Sequence, residues 1–236
     1  MRLDKFLAVT TGLSRAQAKR ELHHDQVRVN QAFERDTGRI VSQQDQIEWR
    51  DQLLSWPGPR YLMLHKPPGY ECSHQPVAHP SVFSLIDLPR VDQLQVVGRL
   101  DQDTTGLLLL TDDGQWLHQL TSPKKKQGKT YLVSCAQPIT EQQLAALRQG
   151  VLLHGEDQPT LPAQAHLLAA DRLELCIHEG RYHQVKRMLA AVGNRVVALH
   201  RSAVSHLQLD AELGEGQWRW LTQAEVELKK TTPKGG

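Results

Sequence analysis

Val97-Gly98-Arg99-Leu100-Asp101-Gln102-Asp103-Thr104-Thr105-Gly106 runs directly into Leu107-Leu108-Leu109-Leu110-Thr111. The polar half holds two carboxylates, two threonines, two glycines and one arginine. Asp112-Asp113-Gly114 closes the leucine run, so it reads as a short buried strand ending in a turn rather than as a helix. The carboxylates then lie on a loop anchored in a core, which is how scaffolds commonly hold functional groups. Three readings of the loop are open at this point. Asp and Thr can simply make turns, Asp101 and Asp103 can hold a divalent cation against phosphates, or one of the two can be a reacting carboxylate.

Working outward, Tyr61 to His65 reads as a strand that ends at Lys66-Pro67-Pro68-Gly69, and Glu71 to Asp92 reads as loop. Gly114 to Leu120 suits a short helix. Ser122-Pro123-Lys124-Lys125-Lys126-Gln127-Gly128-Lys129 carries four lysines and no acid just before a strand at Thr130 to Ser134. It is either a solvated basic loop or a phosphate contact. Thr140 opens a capping box with Gln143, for a helix ending at Gly150. Val151 to Leu153, Ala163 to Ala169 and Arg172 to Ile177 read as strands. Val185, Met188, Leu189 and Val192 fall on one face of a helix that stops at Gly193-Asn194. From Arg181 to Arg201 there are five Lys or Arg and no acid. Arg195 to Leu207 reads as strand and turn, and Trp218 to Trp220 as a last strand, before a short helix capped by Thr222. Strands and helices without regular βαβ alternation predict an α+β fold on a mixed, mainly antiparallel sheet with flanking helices.

Residues 1–55 read as a small separate α+β unit, and 56–60 as a linker, because Pro57, Gly58 and Pro59 forbid regular structure. The main domain is then 61–228 and the polar tail 229–236. Ser14 and Gln17 form a capping box for a helix ending near His23, and Val27 to Val29 alternates as a strand before an Asn30-Gln31 turn. The first thirty residues hold six Lys or Arg against three acids. That is either a solvated helix face or a nucleic-acid surface.

Composition sets further bounds. With 39% hydrophobic residues and a formal charge of +2, the 236-residue chain is a folded one whose charge pattern says more than its sum. No apolar run is long enough to span a bilayer, and the first residues lack the apolar stretch of a signal peptide. Cys72, Cys135 and Cys176 form no C-x-x-C pair, which fits a reducing cytoplasm and no structural zinc. No dinucleotide or phosphate-loop motif is present, so no cofactor is expected, and no metal.

The string G-R-L-D-Q-D-T-T-G-L-L-L-L-T-D-D-G resembles the signature of the RluA/RsuA-type pseudouridine synthases. L-x-K-P-x-G, K-T-Y and G-R-Y-H-Q-V-K follow the same family in the same order, so the resemblance covers the catalytic part of the chain. R-L-D-K-F-L…S-R-x-x-A-K…V-R-V-N is similar to the ribosomal-protein S-four type of RNA-binding domain, although Asp25 and Gln31 stand where that family often has Gly. Asp tolerates the left-handed conformation such a turn needs.

The resemblance implies a role for each motif. Asp101, rather than Asp103, becomes the catalytic carboxylate, Lys186 the cation that pairs with it, Tyr131 the ring beneath the uracil and Val185 a wall of the base pocket. A nearby cation keeps a desolvated carboxylate charged. The target base must leave its stack, and Arg99, planar and charged, is the candidate to fill the gap. Arg2, Lys5, Arg15, Lys19, Lys124, Lys125 and Arg181 become RNA contacts that supply affinity and positioning. Without the resemblance, Lys66 is a turn lysine, Tyr131 a half-buried strand residue, Lys186 a lysine with its stem on the core and His183 structural or RNA-contacting. T-D-D-G-Q-W and A-A-V-G-N look most like members that act on small-subunit (16S) ribosomal RNA. The expected activity is isomerisation of a specific uridine there, by a monomer in the cytoplasm with ribosomal RNA as partner. Large-subunit ribosomal RNA as substrate, or a non-catalytic RNA-binding assembly factor, are the alternatives.

Overall fold

A computed structural model describes residues 1–227 of the chain; the expected tail, 229–236, lies outside the described residues. The chain divides into two compact units. One is Met1–Pro59 with Asp87–Gln93; the other is Arg60–Ile86 with the chain from Leu94 onward.

In the first unit, helices α1 (Leu3–Thr11) and α2 (Arg15–His23) accompany strands β1 (Val27–Val29), β2 (Ala32–Phe33), β3 (Ile47–Trp49) and β4 (Gln52–Leu54), ordered β2-β1-β3-β4 in an antiparallel sheet. Ser14 caps α2 through the reciprocal bonds of a capping box with Gln17. Asp25 takes a left-handed φ of 58°, so an aspartate does there what a glycine would. Leu3, Phe6, Leu7, Leu22, Val27 and Ile47 are fully buried in one core. Helix α1 has no local signature, because Arg2 offers no side-chain cap. Its first amides are taken instead by the distant carbonyls of Arg39 and Thr37, at 2.9 and 3.3 Å. Trp56, expected in the linker, is part of the folded unit: its ring meets Phe6 at 4.6 Å and its Nε1 donates to the Asp45 carbonyl.

The second unit contains β5 (Tyr61–Lys66), β6 (Gln95–Val97), β7 (Thr105–Thr111), α3 (Gly114–Thr121), β8 (Lys129–Cys135), α4 (Glu141–Gln149), β9 (Gln164–Ala169), β10 (Arg172–Ile177), α5 (Gln184–Ala191), β11 (Val196–Val204), β12 (Leu207–Gln208), β13 (Trp218–Trp220) and α6 (Gln223–Val226). The strands form one mixed sheet in the order β13-β5-β7-β11-β8-β10-β9, with β6 beside β7 and β12 beside β11. Its neighbours are antiparallel except β7 and β11, which run parallel. The expected mixed, mainly antiparallel α+β architecture is what forms.

Strand β7 is the leucine run. Leu107 to Leu110 are all fully buried, as a central strand covered on both faces requires. Leu107 and Leu109 join Met63, Trp116, Leu120 and Val204 in one cluster beneath α3. One expected strand does not form. Val151 and Leu153 alternate in burial, but Val151 exchanges backbone and hydroxyl bonds with Thr160 instead of joining the sheet. No helix among the described residues is long and apolar enough to cross a membrane.

Candidate active site

Asp101 lies on the turn between β6 and β7, and the sheet holds that turn from below at three points. Lys66, the last residue of β5, is fully buried and donates to the carbonyls of Pro67, Gln102 and Thr104 at 3.0, 3.1 and 2.9 Å. Burial pushes its ammonium below the ordinary lysine value, and the nearby Asp103 and Asp101 charges oppose that. Arg201 of β11, 1% exposed, donates from Nε to the Leu107 carbonyl at 2.9 Å and from Nη2 to the Gly98 carbonyl at 3.1 Å. Gly106, at φ 106°, lies so close to β11 that a Cβ would overlap the Arg201 backbone. Only glycine fits both that conformation and that approach. Inside the turn the Thr104 amide bonds the Asp101 carbonyl at 3.1 Å.

Helix α5 delivers the opposing groups. Its N-cap, His183, has a left-handed φ of 48° and no side-chain cap bond. Lys186 lies in the first turn, where a cation opposes the helix dipole and needs anionic partners. It finds two: Nζ is 2.6 Å from Asp103 Oδ1 and 3.2 Å from Asp101 Oδ2. Burial alone would lower Lys186, but the hydrogen bonds and charges of Asp103 and Asp101 outweigh it and hold the ammonium above its ordinary value. The Lys186 hydrogen bond draws Asp103 below the ordinary carboxylate range. His183 Nε2 is 3.4 Å from Asp101 Oδ1.

The sequence reading paired Lys186 with Asp101 alone; the structure makes it a bridge whose shorter bond is to Asp103. A divalent ion shared by Asp101 and Asp103 would have to displace that ammonium. Among the described residues no group of three or more His, Cys, Asp or Glu side chains could hold a metal ion.

Asp101, His183 and Lys186 line a cavity of about 840 Å³, together with Arg99, Thr104, Tyr131, Val185 and Arg201. That volume suits a nucleoside-sized ligand with part of its flanks. Tyr131, on β8, and Val185 are 8% and 4% exposed, so each offers the cavity only an edge or a face. Arg99 is exposed at its rim. Among the described residues, the buried Thr104 hydroxyl has no hydrogen-bond partner.

The remaining expected contacts divide. Lys124 and Lys125 are exposed on a short 3-10 turn just after Ser122 and Pro123, which do line the cavity. Arg181 lines the cavity with its side chain 21% exposed. It is used inside the protein, bonding Glu179 and Glu156 and the carbonyls of Gln158 and Pro159, and so fixes the loop ahead of α5. In the first unit, Lys5 and Lys19 are exposed. Arg2 and Arg15 are half exposed and both pair with the buried Asp4.

Sequence reasoning missed the roles of Lys66, Arg201, His183 and Asp103. For the first two a signal existed: Lys66 lies in register with Leu62 and Leu64, and Arg201 with Leu199, on buried faces of their strands.

The model of the RNA pseudouridylate synthase family matches residues 60–191, and that of the S4 domain matches residues 1–47. The chain belongs to the RNA pseudouridylate synthase family. It is accordingly an isomerase acting on RNA. Ribosomal small subunit pseudouridine synthase A of Haemophilus influenzae is 47% identical over 228 residues, covering 96% of this chain and 98% of that protein. The protein of the same name from Escherichia coli is 45% identical, with the same coverage. A crystal structure of a pseudouridylate synthase superposes with a TM-score of 0.70 at 47% identity, covering 97% of this chain and 99% of the other.

Proposed function

We propose that this pseudouridine synthase isomerises a uridine of small-subunit ribosomal RNA, acting as a monomer in the cytoplasm, with Asp101 as its catalytic carboxylate. The observation that carries the proposal is the meeting of Asp101, Lys186 and His183 at the wall of one cavity, from parts of the chain far apart in sequence. The small-subunit assignment rests on the relatives' names and on identity over nearly the whole chain.

The reaction breaks the bond from ribose to N1 of uracil and makes one from ribose to C5; the C5 proton leaves to solvent and N1 takes one up, so composition is unchanged. A carboxylate serves this step at the anomeric carbon as nucleophile, as counter-charge or as base. Lys186, held between Asp103 and Asp101, fixes where that carboxylate points. Tyr131 lies beneath the uracil and Val185 walls the base. Arg99, exposed at the rim, fills the space that the flipped nucleotide leaves in the RNA stack. The N-terminal unit, through Arg2, Lys5, Arg15 and Lys19, and the turn with Lys124 and Lys125 bind phosphates and give affinity without reading sequence.

The substrate is tested with ribosomal RNA labelled with tritium at uridine C5. Release from small-subunit RNA, or from a partly assembled small subunit, with none from large-subunit RNA supports the assignment. Release from large-subunit RNA alone reverses it. Tight RNA binding with release from neither supports a non-catalytic assembly factor.

A further inference from the structure

Tyr182 is 76% exposed, yet its ring does not stand alone. Its ring stacks on the His183 imidazole, centroids 3.7 Å apart and planes at 22°. Its carbonyl accepts from Arg187 Nη1 at 3.2 Å, and Arg187 is anchored in turn by Glu156 and the His154 carbonyl at 3.0 and 2.8 Å. His183 holds a left-handed backbone, uncommon for a residue with a side chain, and its ring is the one that touches Asp101. Both rings line the cavity. One face of Tyr182 is thus covered by a neighbour one step from the reacting carboxylate, while most of the ring is left in water.

A large aromatic surface stacked on one face and bare on the other, at the wall of a cavity, matches a flat π-surface. In an enzyme whose substrate is RNA, the flat groups at hand are nucleobases, which stack on aromatic side chains with little regard to sequence. We propose that the Tyr182–His183 pair is a stacking platform for the unpaired nucleobase immediately next to the target uridine, holding the strand while the uridine occupies the cavity. The inference rests on the reading that Asp101 works on a flipped uridine. It adds a second base site, whose exposed ring, Tyr182, does no chemistry and rests on the imidazole that touches Asp101.

Tyr182 is exposed, so its replacement leaves the core intact, and unchanged thermal midpoints check this. Kinetics of C5 tritium release are compared for wild type, Tyr182→Phe, Tyr182→Leu and Tyr182→Ala. The wild-type product also locates the modified uridine, so that RNA with an abasic site at either neighbour can be made. Loss of the stack raises KM on the order of 10-fold in the Leu and Ala variants, and Phe restores it. An abasic neighbour on the platform side raises the wild-type KM similarly and adds nothing further in Tyr182→Ala. The platform is overturned if Leu equals wild type, if Phe is as poor as Ala, or if both abasic penalties add fully to that of Ala. Should wild type release no tritium, the functional reading itself fails; activity with indifferent variants removes the platform alone.

Discussion

Lys66→Met keeps an unbranched stem and deletes the ammonium that holds the Asp101 turn. Three carbonyls lose a donor, those of Pro67, Gln102 and Thr104. Gln102 retains a second one, the Gly69 amide at 2.9 Å. A buried acceptor left unpaired costs roughly 1–3 kcal/mol, a cost that falls on the Thr104 carbonyl, whereas water can reach the part-buried Pro67 carbonyl. Against this stands the cost of burying an ammonium, visible in the lowered pKa of Lys66, which methionine removes. The balance is a loss of about 1–2 kcal/mol in folding stability. The effect on turnover is the sharper one. Gln102 and Thr104 flank Asp103 and follow Asp101, and a displacement of about 1 Å at a reacting group costs roughly 100-fold in rate. Urea unfolding measures the first quantity and kcat for C5 tritium release the second. A Lys66→Met protein as stable as wild type within about 0.5 kcal/mol, and turning over within twofold, would refute the idea that this lysine positions the turn.

Gly106→Ala places a Cβ 2.7 Å from the Arg201 amide nitrogen at a φ of 106°. It should cost about 3–5 kcal/mol in urea unfolding, whereas Gly114→Ala, with nothing within 4 Å, should show no comparable loss. Glu225 accepts from Arg219 at 2.9 and 2.8 Å, and that contact outweighs burial and draws its carboxyl down to about 2 from 4.5. Because the folded value lies below the unfolded one, its contribution is full above about 4.5 and lost as pH falls toward about 2. Glu225→Gln should therefore be less stable than wild type at neutral pH, by about 1–2 kcal/mol after solvent screening, and equal to it near pH ~2; a gap independent of pH would remove the ion pair from the explanation. If Lys5 and Lys19 meet phosphates, Lys5→Ala with Lys19→Ala should weaken RNA binding and flatten its salt dependence by roughly 0.7–0.9 per lysine in log–log slope. Loss of affinity with an unchanged slope would mean another role.

Local patterns carried much of both units into view. The leucine run and the capping boxes at Ser14, Thr140 and Thr222 all mark elements that form where those signals stand. What was not legible depends on partners distant in the chain. Helix α1 is capped by Thr37 and Arg39 carbonyls, and no cap residue announces it. Val151 to Leu153 shows a strand's alternation, but Thr160 takes the bonds a neighbouring strand would need. At the candidate site, Asp101, Tyr131 and Lys186 were found through motif resemblance rather than through composition. Asp103 looked like a turn residue or half of a metal site because nothing local reveals that an ammonium from α5 reaches it. Lys66 and Arg201 were readable in principle, since strand periodicity puts both on buried faces, where a charged residue must have a partner. Arg181 lies in a basic stretch, and that stretch does not reveal that its donors bond Glu179, Gln158 and Pro159 while the residue also lines the cavity.

One comparison decides whether the Asp101 carboxylate performs the reaction. Single-turnover tritium release from small-subunit RNA is measured for wild type, Asp101→Asn and Asp103→Asn, with RNA affinity determined in parallel. Asp101→Asn should bind RNA with near wild-type affinity and release no label, while Asp103→Asn, which only loosens Lys186, should be slowed but active. Release by Asp101→Asn at a tenth of the wild-type rate or more, or abolition by Asp103→Asn alone, would place the chemistry on a different group.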